Sequence, residues 1–183
     1  MNILILYATL EGQTEKVAER MAQVLRNKGY QVTNQSAEHL PDDFDLDSFE
    51  AAILGGSIHM GHHPKFLKQF VSQHLDWLNN NTSALFTVCM AINSQMAKSR
   101  REAQTYEAQF LKETHWQPAL STIFAGAVKY TQYNIITRFI MKMISKREGG
   151  STDTSHDHEY TDWDAVARFA EQFAEKTAAL QDA

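Results

Sequence analysis

Cysteine is nearly absent from this chain: Cys89 is the only one among 183 residues. No intrachain disulfide can form, and a reducing cytoplasm fits. Cys89 lies in the apolar run Ala84–Ile92, where a buried structural thiol is expected. No apolar stretch reaches the roughly 18–20 residues needed to span a bilayer, so a soluble or at most peripheral protein is expected. Only Met1-Asn2 precedes the first apolar run, so no targeting leader is expected. Positive charge is also scarce, with 17 Lys and Arg against 22 Asp and Glu, a net charge of −5. That balance argues against non-specific nucleic-acid binding. Internal repeats, low-complexity tracts and interdomain linkers are missing as well, and 183 residues fit one domain (1–183) with one core.

What is present alternates short apolar runs with amphipathic stretches. Strands are expected over Asn2–Ala8, Tyr30–Ser36, Phe49–Gly55, Ser83–Met90 and Leu120–Val128. Between them, Thr14–Lys28 carries Val17, Ala18, Met21, Val24 and Leu25 at helical spacing and ends at Gly29. Residues 37–48 are acidic, carry Pro41 and read as a loop with a turn of helix. A helix opened by Pro64 is expected to bury Phe66, Leu67, Phe70, Val71, Leu75 and Leu78. Lys98–His115 presents Ala103, Tyr106 and Phe110 on one face, and Asp162–Leu180 closes the chain with Val166, Ala170 and Phe173 inside. Alternating strands and helices imply an α/β fold: a doubly wound five-stranded parallel sheet of order 2-1-3-4-5, with ligands at the carboxyl ends of the strands.

The first strand runs into Thr9-Leu10-Glu11-Gly12-Gln13-Thr14, which opens a helix. Unpaired N–H groups and the helix dipole favour an anion there. Gly12 lets the backbone curl close, Thr9 and Thr14 offer hydroxyls, and Gln13 adds an amide. The loop lacks the lysine of a nucleotide P-loop and two of the three glycines of a dinucleotide fingerprint. A phosphate monoester held by N–H and O–H groups suits it.

Thr-x-x-Gly-x-Thr after a first strand resembles the FMN phosphate loop of flavodoxins. Glu11 stands where that family has Thr or Ser, so its carboxylate is expected to turn away from a phosphate. The resemblance implies that noncovalent FMN lies between the loops after strands three and four. Those loops are Gly56-Ser57-Ile58-His59-Met60-Gly61 and Ala91-Ile92-Asn93-Ser94. Ile58, His59 and Met60 stand where flavodoxins often stack Trp or Tyr, which leaves room for a second planar molecule. His59, His62 and His63, like His156 and His158, lack the spacing of a structural zinc site. His62 or His63 is instead a candidate proton donor or substrate contact.

One helix is surplus to five strand–helix units. Thr131–Arg147 lies between strand five and the final helix and is followed by the polar stretch Glu148–His158. From Gly126 to Gly150 the bases Lys129, Arg138, Lys142, Lys146 and Arg147 face only Glu148, a local +4 that leaves −9 elsewhere. On a wheel, Ile135, Ile136, Phe139, Ile140, Met143 and Ile144 share one face, with Arg138, Lys142 and Ser145 opposite. A lipid surface, a subunit contact in a homo-oligomer or a bulky apolar substrate would each use such a helix.

Over roughly residues 1–175 the chain resembles the flavodoxin-like protoporphyrinogen dehydrogenases of bacteria. The matching residues are Glu11-Gly12-Gln13-Thr14, Gly55-Gly56-Ser57-Ile58 with Gly61-His62, and Ala125-Gly126-Ala127 with Tyr130. Arg138-Phe139, Gly149-Gly150-Ser151-Thr152-Asp153-Thr154 and Tyr160-Thr161-Asp162-Trp163 continue the match. An acid at position 11 belongs to that family's pattern. The resemblance implies FMN-dependent oxidation of protoporphyrinogen IX, with menaquinone or ubiquinone as acceptor, at the cytoplasmic face of the inner membrane. The flavin carries the chemistry and no protein nucleophile or base is named. Lys129, Tyr130, Arg138, Lys142 and His62 are candidates for propionates or lipid headgroups. A flavodoxin electron carrier and an NAD(P)H-quinone reductase on the same fold are the competing readings. A receiver-type signalling domain would need acids where the first strand ends in Tyr7-Ala8-Thr9.

Overall fold

The structure, a computed structural model, describes residues 1–181. Five parallel strands, β1 (Asn2–Ala8), β2 (Gln31–Ser36), β3 (Ala51–Ser57), β4 (Thr82–Val88) and β5 (Leu120–Phe124), form one sheet in the order β2-β1-β3-β4-β5. Alternate residues of the central strands face opposite layers. Ile3, Ile5, Ile53 and Phe86 pack with Val17, Met21, Val166 and Phe173. Leu4, Leu6, Leu54 and Leu85 pack with Leu67, Phe70, Leu78 and Phe110. Both faces are thus covered, which is why the strands of this parallel sheet read as unbroken apolar runs.

The first layer is α1 (Gln13–Asn27) with α6 (Trp163–Gln181). Beyond α1, Gly29 takes φ 91° and Tyr30 N–H donates to Leu25 O, a left-handed stop that satisfies the last carbonyls. The second layer is α2 (Lys65–Gln73), α3 (Leu75–Asn80) and α4 (Ala97–Thr114). The single helix expected after Pro64 is broken at His74 (φ −120°, ψ 24°), whose ring packs on Phe70 at 4.5 Å. Backbone bonds from His74 N to Phe70 O and from Leu78 N to His74 O carry the chain through the kink. Burial begins at Leu67, so Phe66, expected inside, is half exposed.

Strand five stops four residues short of its expected end. The carbonyl of Ala125 accepts from Thr161 Oγ1 (2.8 Å) and that of Gly126 from Tyr160 N (3.0 Å). The chain therefore leaves the sheet, and β6 (Ala127–Val128) pairs antiparallel with β7 (His158–Glu159). Between them stands the surplus helix, α5 (Ile135–Glu148), capped by Asn134 Oδ1 on Thr137 N–H and ended by Gly149 at φ 79°.

Candidate functional site

The reversal of strand order falls between β1 and β3, and the loops leaving β1, β3 and β4 meet at the sheet's carboxyl edge. Gly12, at φ 80°, is the N-cap of α1 and has no side chain to close the helix end. Its N–H donates to Thr9 Oγ1 (3.0 Å), which curls the loop back on itself. Thr14 is wholly buried, yet its Oγ1 has no partner among the described residues. Ser57 Oγ and Gln13 Oε1 are likewise unpartnered. Gln13 is held in place by its Nε2, which donates to Thr161 Oγ1 (2.9 Å). These groups line a cavity of about 240 Å³ with Thr9, Gly126 and Tyr133.

Glu11 also reaches that cavity, but its carboxylate accepts from Tyr133 Oη at 2.9 and 3.0 Å. Burial, then the Glu11 charge, raise the Tyr133 phenol, so it remains a donor. The insert thereby engages the loop's one acid. Leu10 is exposed and offers only its main chain.

The loop after β3 is a tight turn. His59 and His62 exchange both backbone bonds at 3.0 Å around Met60 (φ 50°) and Gly61 (φ 82°). Ile58 N–H donates to Val88 O (2.9 Å) and ties this loop to the end of β4. The Met60 side chain, expected against a ring, is 99 % exposed, because residue 60 sits at the tip of the turn. Gly56 permits close packing: a Cβ there would lie 2.9 Å from Leu67 Cδ2 and 3.1 Å from Pro64 Cδ. His62 faces a separate small recess with Lys68 and Tyr106. His63 is partly buried, and desolvation lowers its pKa to about 4 and keeps it neutral, with Nε2 3.0 Å from Thr87 Oγ1. Ala91 and Asn93 border a larger cavity, while Ile92 lines neither.

That larger cavity holds about 690 Å³ and shares Ile58, Met60, Met90 and Met141 with the smaller one, so the two form one groove. Its outer wall is α5, through Met141, Ile144, Ser145 and Glu148. Glu148 accepts from Ser94 Oγ, and its carbonyl accepts from Gln95 N (3.2 Å). The Ser94 and Ser99 hydroxyls hold its carboxyl below the usual range. Gly149 allows this closure, since a Cβ there would come within 2.5 Å of Gln95 Cδ. Cys89 borders the cavity as a buried thiol whose pKa burial raises.

The wheel resolves the faces of α5 but not their direction. Ser145 is buried under Tyr130 Oη (2.9 Å), and Arg138 donates to Tyr130 O (3.0 Å) and Tyr133 O (3.3 Å). Most of the apolar stripe faces outward instead, from Ile135 at 85 % exposed to Met143 at 56 %, while Ile144 borders the groove. Tyr130 is fully buried and donates to Ser145, so it is a strut of the insert. Arg138 is committed to backbone carbonyls, and neither it, Lys129 nor Lys142 lines the groove. Ser94 belongs to a loop expected at the ring, whereas sequence reasoning missed Glu102, Tyr106, Met141, Glu148 and Tyr160 as wall residues. Only the Gly149-Gly150 and Tyr160 motifs carried a signal for that wall.

Fold and groove together define a flavodoxin-type domain. The family model described as "Flavodoxin domain" matches residues 4–155. A flavodoxin from the domain Archaea covers 97 % of this chain and 99 % of its own, at TM-score 0.57 and 18 % identity. Flavodoxin 1 of Bacillus cereus covers 96 % and 98 %, at TM-score 0.58 and 16 % identity. Both establish the fold. Sequence goes further: "Protoporphyrinogen IX dehydrogenase [quinone]" of Escherichia coli (strain K12) is 33 % identical over 177 residues, 97 % of each chain. A Leishmania major protein of the same name is 33 % identical over 171 residues, 93 % of this chain and 74 % of its own. The chain belongs to the flavodoxin-domain family and, within it, to the protoporphyrinogen IX dehydrogenases [quinone].

Proposed function

We propose that this protein is an oxidoreductase that uses FMN to oxidise protoporphyrinogen IX to protoporphyrin IX, with a membrane quinone as acceptor. The observation that carries the reading is the groove: an uncapped helix end with unpartnered buried hydroxyls opens into a cavity of about 690 Å³. The printed name of the E. coli relative supplies substrate and acceptor.

The residues fit FMN. Thr9, Thr14 and Ser57 offer hydroxyls, and the first turn of α1 offers N–H groups, to a phosphate monoester. Ile58, Met90 and Ala91 give the ring apolar walls without covering it in aromatics. Bound there, FMN supplies reversible two-electron chemistry. Three turnovers remove six hydrogens from the porphyrinogen and deliver them to three quinones. The protein's own part is to orient the substrate between the β3 and β4 loops and α5, and to keep water out.

The outward stripe of α5, with Lys146 and Arg147 beside it, suits the surface of an anionic bilayer. Each such base adds about 1 kcal/mol near such a surface. Among the described residues no helix is long and apolar enough to cross a membrane. Peripheral docking at the cytoplasmic face would set the cavity beside the quinone pool.

The test is direct. Purified protein is expected to be yellow and to release FMN on denaturation. With protoporphyrinogen IX and menadione it is expected to raise porphyrin fluorescence above the autoxidation rate. Colourless protein that takes up no FMN, or flavoprotein with no enzyme-dependent rise, would refute the reading.

A further inference from the structure

The charge of the groove opposes a simple expectation. A substrate with two propionates would be expected to meet bases, yet neither cavity is lined by Lys or Arg. Its charged walls are carboxylates. Glu11 is engaged by Tyr133 in the smaller cavity, and Glu102 and Glu148 line the larger one. Glu148 is kept charged by two serine hydroxyls and, to a smaller extent, by the charge of the neighbouring Arg147, which does not itself line the cavity. Among the described residues Glu102 pairs only with Lys98, at 3.8 Å across one exposed helix turn, a contact too wet to cancel its charge. Arg100, close in sequence, donates a guanidinium N–H to Ser94 O.

We infer that Glu102 and Glu148 set substrate specificity: they admit a porphyrinogen by its carboxylate-free edge and reject one with carboxylates on every pyrrole. This rests on the reading of the groove as a porphyrinogen site. In protoporphyrinogen IX the two propionates sit on neighbouring pyrroles, and the opposite edge carries only methyl and vinyl groups. That edge can enter the part of the cavity walled by Tyr106, Met141 and Ile144, beyond the Ile58 and Met90 walls assigned to the flavin ring. Pyrrole N–H groups are donors, and the two carboxylates are acceptors at the wall. The propionates then stay at the mouth, in water. A substrate with four propionates must push a carboxylate toward like charge whichever edge leads, which opposes its entry.

Initial rates of the FMN-loaded protein with menadione test this, using protoporphyrinogen IX, mesoporphyrinogen IX and coproporphyrinogen III. Mesoporphyrinogen keeps the two propionates and replaces vinyl by ethyl; coproporphyrinogen carries four propionates. The first two are expected to agree in kcat/KM, and the third to fall by about 100-fold. Glu102→Gln and Glu148→Gln remove charge at constant shape, and the amide oxygen introduced by the second change still offers Ser94 an acceptor. Each is expected to raise the coproporphyrinogen-to-protoporphyrinogen ratio about 3- to 10-fold. Comparable kcat/KM for all three substrates in the unmodified protein would overturn the inference. So would a ratio unmoved in both variants, which assigns the exclusion to size. Turnover of protoporphyrinogen itself reports separately on the underlying reading, and its absence removes both.

Discussion

Replacing Thr14 by Val should move flavin affinity and stability of the flavin-free protein in opposite directions. The side chain is fully buried, and its hydroxyl has no partner among the described residues. An unsatisfied buried hydroxyl destabilises by about 1–3 kcal/mol. Valine has the same shape without that penalty, so the flavin-free variant is expected to gain about 1 kcal/mol, or roughly 2–4 °C in Tm for a domain of this size. With FMN bound, the same hydroxyl would donate to a charged phosphate, a bond worth about 1.5–3 kcal/mol. Its loss should raise the Kd for FMN about 10- to 100-fold. Riboflavin lacks the phosphate, so its affinity should not change. Flavin fluorescence titrations with both ligands, beside thermal unfolding without flavin, read all three quantities. An unchanged Kd for FMN, or equal losses for FMN and riboflavin, would refute the assignment of this loop to the phosphate.

Burial of His63 predicts an acid-side slope in stability. Its folded pKa, about 4, lies below the ordinary 6.5, so the unfolded chain takes up the proton first. The stabilisation is complete above about pH 7, declines as pH falls from 6.5 to 4, and totals about 3 kcal/mol. His63→Asn, compared by urea unfolding from pH 7.5 to 4.5, should lose that slope; parallel curves would show that His63 is not kept neutral. On α5, Phe139→Glu is expected to leave Tm within about 2 °C, because the ring is 65 % exposed. Sedimentation with phosphatidylglycerol vesicles should weaken at least tenfold, while turnover with soluble menadione persists. Unchanged vesicle binding would detach α5 from the lipid surface.

How much of this could be read from sequence depended on what each segment buries. Strands β1, β3 and β4 were legible because both their faces are covered, which forces continuous apolar runs such as Ile3-Leu4-Ile5-Leu6. The turn from β1 into α1 was legible because a glycine N-cap and a threonine that closes the turn are local chemistry. The end of β5 was not: Ala125 and Gly126 look like strand until Thr161 and Tyr160, some 35 residues on, claim their carbonyls. The break at His74 was hidden for a similar reason, since Leu67, Phe70, Val71 and Leu78 keep helical spacing across the kink.

Helix α5 shows the limit most clearly. Periodicity reports that a helix has two faces; it cannot say which one meets the protein. The usual assumption sends the apolar face inward, and here the polar face goes in. That is tolerated because each inward polar group has a partner: Ser145 receives Tyr130 Oη, Arg138 finds two carbonyls, and Glu148 finds Ser94. The outward stripe from Ile135 to Met143 has no such compensation within the described residues. Five large apolar side chains in water would disfavour the helix unless a second apolar phase receives them. The orientation of α5 therefore joins its two roles. Its inward side carries the polar groups that fasten it to Tyr130 and to Ser94, and its outward apolar side is the one that the proposed bilayer docking would use.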